Sequence, residues 1–287
     1  MKKLVTLLAL TIGFSMNAQL EPVTEGSNTG QRLSTSNAAN HGDIGSNAVD
    51  LSYQGSSSST RGATGSSSTA MGYGGTASGD YSTAMGDLTT ASGYGSTAIG
   101  KSTTASGTYS TAMGRSAIAS DYVSLAIGQY NNSLSSVTTN GSATSYDADN
   151  TAFVIGNGTS GIAKSDAFKV MFNGDATVSG GLTVSGDVNV SSDARLKSNI
   201  ISLGSTLSKL LLIDGKSYTM INDGDKKIGV LAQDIQKVFP ELVSTDDKDM
   251  LTVNYQGLVP VLINAIKEQD AKIERLESLV EQLINNK

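Results

Sequence analysis

STAMG at 68–72, STAMG at 82–86, STAIG at 96–100, STAMG at 110–114 and SLAIG at 124–128 recur at a strict spacing of 14 residues. Half a period later come TASG at 76–79, 90–93 and 104–107, and IASD at 118–121. GATG at 62–65 is a leading half-repeat, and FVIG at 153–156 returns in phase two periods after Gly128. A Gly/Ser linker has no need of glycine in register over five copies. Fourteen residues with two short β runs and two glycine corners make one coil of a β-solenoid.

Alternation along each run assigns the faces. With Ala70, Ala84, Ala98, Ala112 and Ala126 pointing into a narrow coil, Met71, Met85, Ile99, Met113 and Ile127 point out. At about 4.8 Å per coil, those five build a contiguous apolar stripe, which marks an interface. The other half-coil presents Thr and Ser around Ala77, Ala91 and Ala105, a surface suited to water. The arrangement that covers the stripe most simply is a bundle of identical chains about an axis, with the Met/Ile residues at the interface.

Composition agrees with a thin, partner-dependent chain. There are 32 Gly, no Trp, no Cys and 5% aromatic residues in 287, so large core-filling side chains are scarce. A net charge of −6 gives no footprint for nucleic acid. With no Cys and the single His41, disulfide frameworks and Cys/His metal sites are excluded, and no metal or cofactor is expected. GYGG at 72–75 belongs to the repeat, so it is no nucleotide loop. SYDADN at 145–150 lacks the Gly and closing Glu of a calcium loop and reads as a polar excursion between coils.

The remaining boundaries follow from pattern. MKKLVTLLALTIGFSMNAQ has two lysines, an apolar run too short to span a bilayer, and Ala18 before Gln19, the form of a signal peptide over 1–18. The expectation is an exported chain, secreted or at the cell surface, with no transmembrane segment after processing. Residues 19–61 are Ser/Gly/Asn-rich and read as a flexible segment. The repeats run over 62–160. From 161 to 191, AFKVMF, ATV, LTV and VNV alternate with NGD, SGG and SGD corners, the pattern of a β-stalk. Residues 192–257 have the composition of a small α+β domain, in which Leu231, Ile235 and Val238 share a helical face before Pro240. Residues 258–287 are a coiled coil. Val259, Ile266, Ile273 and Val280 fall at a, and Leu262, Gln269, Leu276 and Leu283 at d. β-branched a with Leu d favours two strands, whereas Ile263, Leu279 and Ile284 at e and g widen the seam. Three strands are taken from the head and stalk, and Gln269 is a polar specificity layer.

The repeats at 62–160 resemble the head repeats of trimeric autotransporter adhesins, a left-handed parallel β-roll carried by three chains. Those adhesins end in a membrane-embedded β-barrel anchor, and no segment of this chain is expected to form one. SSDARLKSNI at 191–200, GVLAQDIQKVFPELV, and LTVNYQGLVPVLINAIKEQ at 251–269 resemble, in order, the C-terminal intramolecular chaperone of phage endosialidases and tail spikes, serine peptidase family seventy-four. That resemblance implies a domain that trimerises, registers three upstream chains as a β-fibre, and is released by a Ser/Lys dyad. Carried over, Ser192 is the nucleophile, Lys197 its general base, and the cut falls between Ser192 and Asp193.

The chemistry has demands of its own. A lysine accepts a serine proton only when neutral, so burial or a nearby cation must favour the amine. Arg195 is the candidate cation, with Asp193 opposing it. A serine hydroxyl attacking its own carbonyl closes a four-membered ring, and attack on the preceding carbonyl cuts before Ser192. A water activated by the dyad is the third route. Apart from the resemblance, SSDARLK reads as a surface turn with Ser192 capping a helix.

The expected whole is a mainly β trimeric fibre followed by an α+β chaperone domain and a three-stranded coiled coil. Its only expected enzyme activity is one self-cleavage per chain; the alternative is a permanent trimerisation clamp. A glycan-cutting head is disfavoured, since Asp80, Asp87 and Asp121 are the only acids between Gly62 and Gly128. A phage tail fibre is opposed by the signal peptide. Flat Ser/Thr faces suit matrix proteins, glycans or other fibres equally, which leaves the head's surface ligand open.

Overall fold

The computed structural model describes residues 20–132, 141–221, 224–246 and 249–286; the signal-peptide segment lies outside them. Two compact units divide the chain at Asp187 and Val188.

The first unit is a β-solenoid built on the 14-residue period. Thr69–Tyr73, Thr83–Asp87, Thr97–Lys101, Thr111–Arg115 and Leu125–Gln129 stack in parallel, each residue paired with the one 14 positions on. Thr151–Asn157 continues the stack, with Ile127 against Ile155 and Gly128 against Gly156, so FVIG does return in phase. The half-coil runs form a second parallel sheet of five two-residue strands, from Gly62–Ala63 to Ile118–Ala119. Between the sheets lies the alanine column, Ala70, Ala84, Ala98, Ala112 and Ala126 facing Ala63, Ala77, Ala91, Ala105 and Ala119, all buried. Within the repeats the space between the two sheets is filled by methyl groups, and the column admits larger side chains at its ends, Val154 opposite Ala126 and Asp50 opposite Ala70.

The in-register glycines answer to rung spacing. A Cβ on Gly72, Gly86, Gly100 or Gly114 would meet the carbonyl oxygen of the next rung's glycine at 2.0–2.2 Å. Gly65, Gly79 and Gly93 face the same obstacle at 2.1–2.2 Å. Two left-handed corner columns hold Gly74 and Gly95 at φ of 65° and 61°, and elsewhere Ser67, Tyr81, Tyr109 and Val123 and Leu88, Ser102, Ser116 and Tyr130 at φ of 45–59°. Gly72, Gly86, Gly100 and Gly114 combine that close approach with φ of 100–127°, so glycine is needed there twice over, while bulkier residues accept the left-handed corners.

Residues 19–61, expected to be flexible, are instead part of the solenoid wherever described. Leu20–Glu25 and Asn28–Leu33 form an antiparallel hairpin, and Val49–Tyr53 is the first full rung, paired with Thr69–Tyr73. Polar contacts hold this end. Asp50 takes the inward position that alanine fills elsewhere, opposite Ala70 in register. Its Oδ2 lies 2.8 Å from His41 Nδ1 and 3.6 Å from Arg32 Nε, and Ser52 donates to Oδ1 from its amide and its hydroxyl. Arg32 forks onto Glu25 at 2.7 and 3.0 Å. Burial pushes the Asp50 carboxyl up, and the His41 and Ser52 hydrogen bonds outweigh it, leaving its pKa below the ordinary value. Few apolar residues mark the segment, so composition misreads it.

At the other end, Asp166–Met171 returns antiparallel to Thr151–Asn157, and Ala176–Val178 completes a hairpin around Asn173–Gly174–Asp175. Of the runs expected in the stalk, AFKVMF and ATV are strands of the solenoid's long sheet. LTV at 182–184 and VNV at 188–190 are exposed and in no strand.

The second unit has a small core. Ile235 and Phe239 from the helix Ala232–Val238 and its end pack with Val261 from the helix Leu258–Asn285, joined by Leu210, Ile213, Val230, Val238 and Val253. Phe239 takes the place expected for Leu231, which is exposed at the helix N-terminus. Two short hairpins complete the unit, Lys216–Thr219 with Lys226–Gly229 and Val243–Thr245 with Leu251–Val253. Among the described residues no helix is long and apolar enough to cross a membrane.

Candidate functional site

Ser192 and Lys197 are five positions apart, a spacing that neither a strand nor a helix brings to one side. A single 3-10 turn over Ala194–Leu196 does so. Asp193 enters it extended and accepts from the Arg195 amide at 2.8 Å. The Leu196 and Lys197 amides donate to the carbonyls of Asp193 and Ala194, each at 3.1 Å. The chain then leaves extended, and Lys197 Nζ donates to Ser192 Oγ at 2.7 Å. The capping residue is Asp193, where the simpler reading had placed Ser192.

Arg195, expected to supply a cation to Lys197, forks onto Asp193 instead. Its Nη2 lies 2.7 Å from Asp193 Oδ2, and its Nε 3.1 Å from both carboxylate oxygens. Those hydrogen bonds, side chain first and then backbone, hold the Asp193 carboxyl below its ordinary range. All six residues from Ser192 to Lys197 are exposed, and Leu196, Ile200, Ile201 and Leu203 beside them expose apolar side chains.

The other expected site residues fall as two apolar stripes. Met71, Met85, Ile99, Met113 and Ile127 pair rung to rung on the outer face of the long sheet, half-buried or exposed. Leu51 and Ile155 extend that column by a rung at each end; Leu51 escapes a sequence reading because it lies in the polar stretch 19–61, outside the period. On the long helix, Val261 and Ala265 pack on the core. Ile266, Gln269, Ile273, Leu276, Val280 and Leu283 are all exposed on the single chain. The helix is present, and its heptad positions from Ile266 onward are exposed.

Sequence reasoning missed two features. Tyr81, Tyr94, Tyr109 and Tyr122 form an edge-to-face ladder with ring centroids 5.3, 5.5 and 6.1 Å apart. Their spacings of 13, 15 and 13 sum to nearly three periods, a signal hidden by the alternation between two columns. Glu268, on the long helix, accepts from Ser205 Oγ at 2.6 Å and from the Thr206 and Leu207 amides, capping the short helix Leu207–Leu210 from outside it. No local pattern announces a cap 62 residues away.

Comparison with known families supports both resemblances. Residues 192–244 match the family described as chaperone of endosialidase, so Ser192 is the first matched residue. The YadA head domain repeat matches in four overlapping spans, 63–89, 77–103, 91–117 and 105–131. No curated protein matches the chain. The chain thus carries a stretch similar to YadA head repeats and, after it, a stretch similar to the chaperone of endosialidase.

Proposed function

We propose that the chain is an exported homotrimeric, adhesin-like fibre whose C-terminal segment directs assembly and then cuts itself free between Ser192 and Asp193. The observation that carries this reading is the 2.7 Å approach of Lys197 Nζ to Ser192 Oγ at the first residue of the chaperone match. The two apolar stripes support threefold assembly, since a lone copy leaves both in water. The head repeats support a place outside the cell.

The cut proceeds through water, because direct attack by Ser192 on its own carbonyl closes a strained four-membered ring. Ser192 Oγ takes a proton from the water and passes its own to the neutral Lys197 amine. The water oxygen bonds to the Ser192 carbonyl carbon. The bond to the Asp193 nitrogen then breaks, and that nitrogen takes the proton held by Lys197. The products are a Ser192 carboxylate and an Asp193 amine. A lysine in water holds its proton to about pH 10, and dehydration favours the neutral amine. Closure of the oligomer over the exposed turn and its apolar flank supplies that dehydration. Ser192 departs on one product and Lys197 on the other, so each chain reacts once.

Mass spectrometry of the exported protein tests the reading. A C-terminal fragment beginning at Asp193, abolished by Ser192→Ala and by Lys197→Ala, is the expected result. A fragment beginning at Ser192 would replace the water route with attack on the preceding carbonyl. An intact wild-type chain in assembled trimers would overturn self-cleavage in favour of a permanent clamp.

A further inference from the structure

We propose that Asp193 and Arg195 form a positioning clasp that holds Ser192 and Lys197 together through the backbone between them. The inference rests on the self-cleavage reading and assigns the two residues a part in it.

The turn that closes the pair has two backbone hydrogen bonds of its own, both exposed to water. Short exposed turns of this kind exchange readily with open chain, because two bonds do not offset the entropy of fixing the residues. Four further hydrogen bonds come from Asp193 and Arg195. Asp193 Oδ1 takes the Arg195 amide at 2.8 Å and its Nε at 3.1 Å; Oδ2 takes Nε at 3.1 Å and Nη2 at 2.7 Å. A planar guanidinium lies on a planar carboxylate across two residues, a fork that lysine cannot reproduce.

The same contacts argue against a purely electrostatic role. Each hydrogen bond of the Arg195 side chain goes to Asp193, and Lys197 Nζ donates to Ser192. The Asp193–Arg195 pair is neutral as a whole, so its two opposite charges in contact largely cancel at Lys197. Lys197 receives geometry from the clasp rather than a cation. The cut separates Ser192 from the clasp, while Asp193, Arg195 and Lys197 all remain on the released product.

Two measurements test the clasp, one of them independent of cleavage. In full-length Ser192→Ala, which keeps the turn and removes the hydroxyl, NMR order parameters of the Arg195, Leu196 and Lys197 amides are expected near the rigid value of about 0.85 and should fall below about 0.6 with Arg195→Gln added. Flexible amides before the second substitution, or no change after it, would overturn the proposal even if the wild-type chain cleaves. In the Ser192 background, Arg195→Gln is expected to slow self-cleavage at least tenfold at every pH with the midpoint of the pH profile unmoved. Arg195→Lys should not restore the rate, and native mass spectrometry should show the assembly unchanged. A rate recovered at higher pH would assign Arg195 to charge tuning and refute positioning. A wild-type chain that never cuts would sink the self-cleavage reading, and the order parameters would still judge the clasp.

Discussion

Replacing Gly100 by alanine should be among the most damaging single changes in the head. The added Cβ would stand 2.0 Å from the Gly114 carbonyl oxygen, and the Gly114 nitrogen and carbonyl carbon are within 3.1 Å. Non-bonded atoms settle near 3.5 Å, so the two rungs must part locally by about 1.5 Å. Neighbouring hydrogen bonds cannot survive such a shift: Ser116 donates to the Lys101 carbonyl across this interface at 2.8 Å. Losing two such bonds costs about 2 kcal/mol. Gly100 also sits at φ 120°, outside the ordinary range of an L side chain, which adds about 1–2 kcal/mol. The total is about 3–4 kcal/mol against the head. Gly93→Ala isolates the steric part, because its Cβ meets Gly107 O at 2.1 Å with no positive φ; about 2 kcal/mol is expected. Gly180→Ala, with nothing within 4 Å, should change stability by less than about 0.5 kcal/mol. Urea unfolding of the full chain, followed by far-UV circular dichroism, ranks the three. Equal midpoints for Gly100→Ala and Gly180→Ala would refute the rung spacing on which the solenoid rests.

Asp50→Ala should destabilise the N-terminal end by about 3–5 kcal/mol, the usual cost of removing one partner from a buried charged cluster, read as early loss of amide protection over 28–53. Because the Asp50 pKa is lowered when folded, its contribution is complete above the ordinary 3.8 and disappears as pH falls below it; acid titration of the same amides checks the sign. Glu268 behaves alike, its carboxyl held down by the Ser205 hydroxyl and the Thr206 amide. Glu268→Ala should fray Leu207–Leu210 at neutral pH, whereas wild type should fray there only below about pH 4.5, visible in helical chemical shifts. Tyr109→Ala breaks ring contacts to Tyr94 and Tyr122 and should cost about 1–3 kcal/mol. Tyr109→Gly should cost less, because the position sits at φ 58°; thermal melts of both variants decide it.

The sequence carried the head's register because every rung is bound to repeat: a residue that clashes in one coil clashes in all. The inward alanines, the outward Met/Ile column and the return of FVIG are consequences of one period. The same logic failed at 20–61, where the period is absent and the inward position holds Asp50 among Arg32, His41 and Ser52. Polar composition there signals a buried ion network, and only the three-dimensional pairing of those groups distinguishes it from a solvated segment. The corner residues were equally illegible. Tyr81 and Leu88 adopt φ of 59° and 54°, a conformation that propensity reserves for Gly and Asn. At the dyad, residue types and order were readable and geometry was not. The 3-10 turn capped by Asp193 is what lies between Ser192 and Lys197 where they meet.

The long helix argues most directly for assembly. It spans 28 residues, about 42 Å at 1.5 Å per residue, and its buried residues, Val261 and Ala265, lie within its first two turns. Beyond Glu268 every described residue is exposed, including Ile273, Leu276, Val280 and Leu283. Most helical stability comes from packing an amphipathic face rather than from propensity, and the proposed oligomer would supply that packing along the a/d seam. Gln269 is the test of how many strands supply it. A polar d residue costs stability and fixes register and number. Gln269→Leu should therefore raise the temperature at which helix is lost and admit a second oligomeric state beside the trimer in native mass spectrometry. A variant more stable yet still purely trimeric would move the specification of three strands to Ile263, Leu279 and Ile284 and the head. Wild-type monomers at micromolar concentration with the full helical signal would remove the reason for an interface, and with it the dehydration that the proposed cut requires.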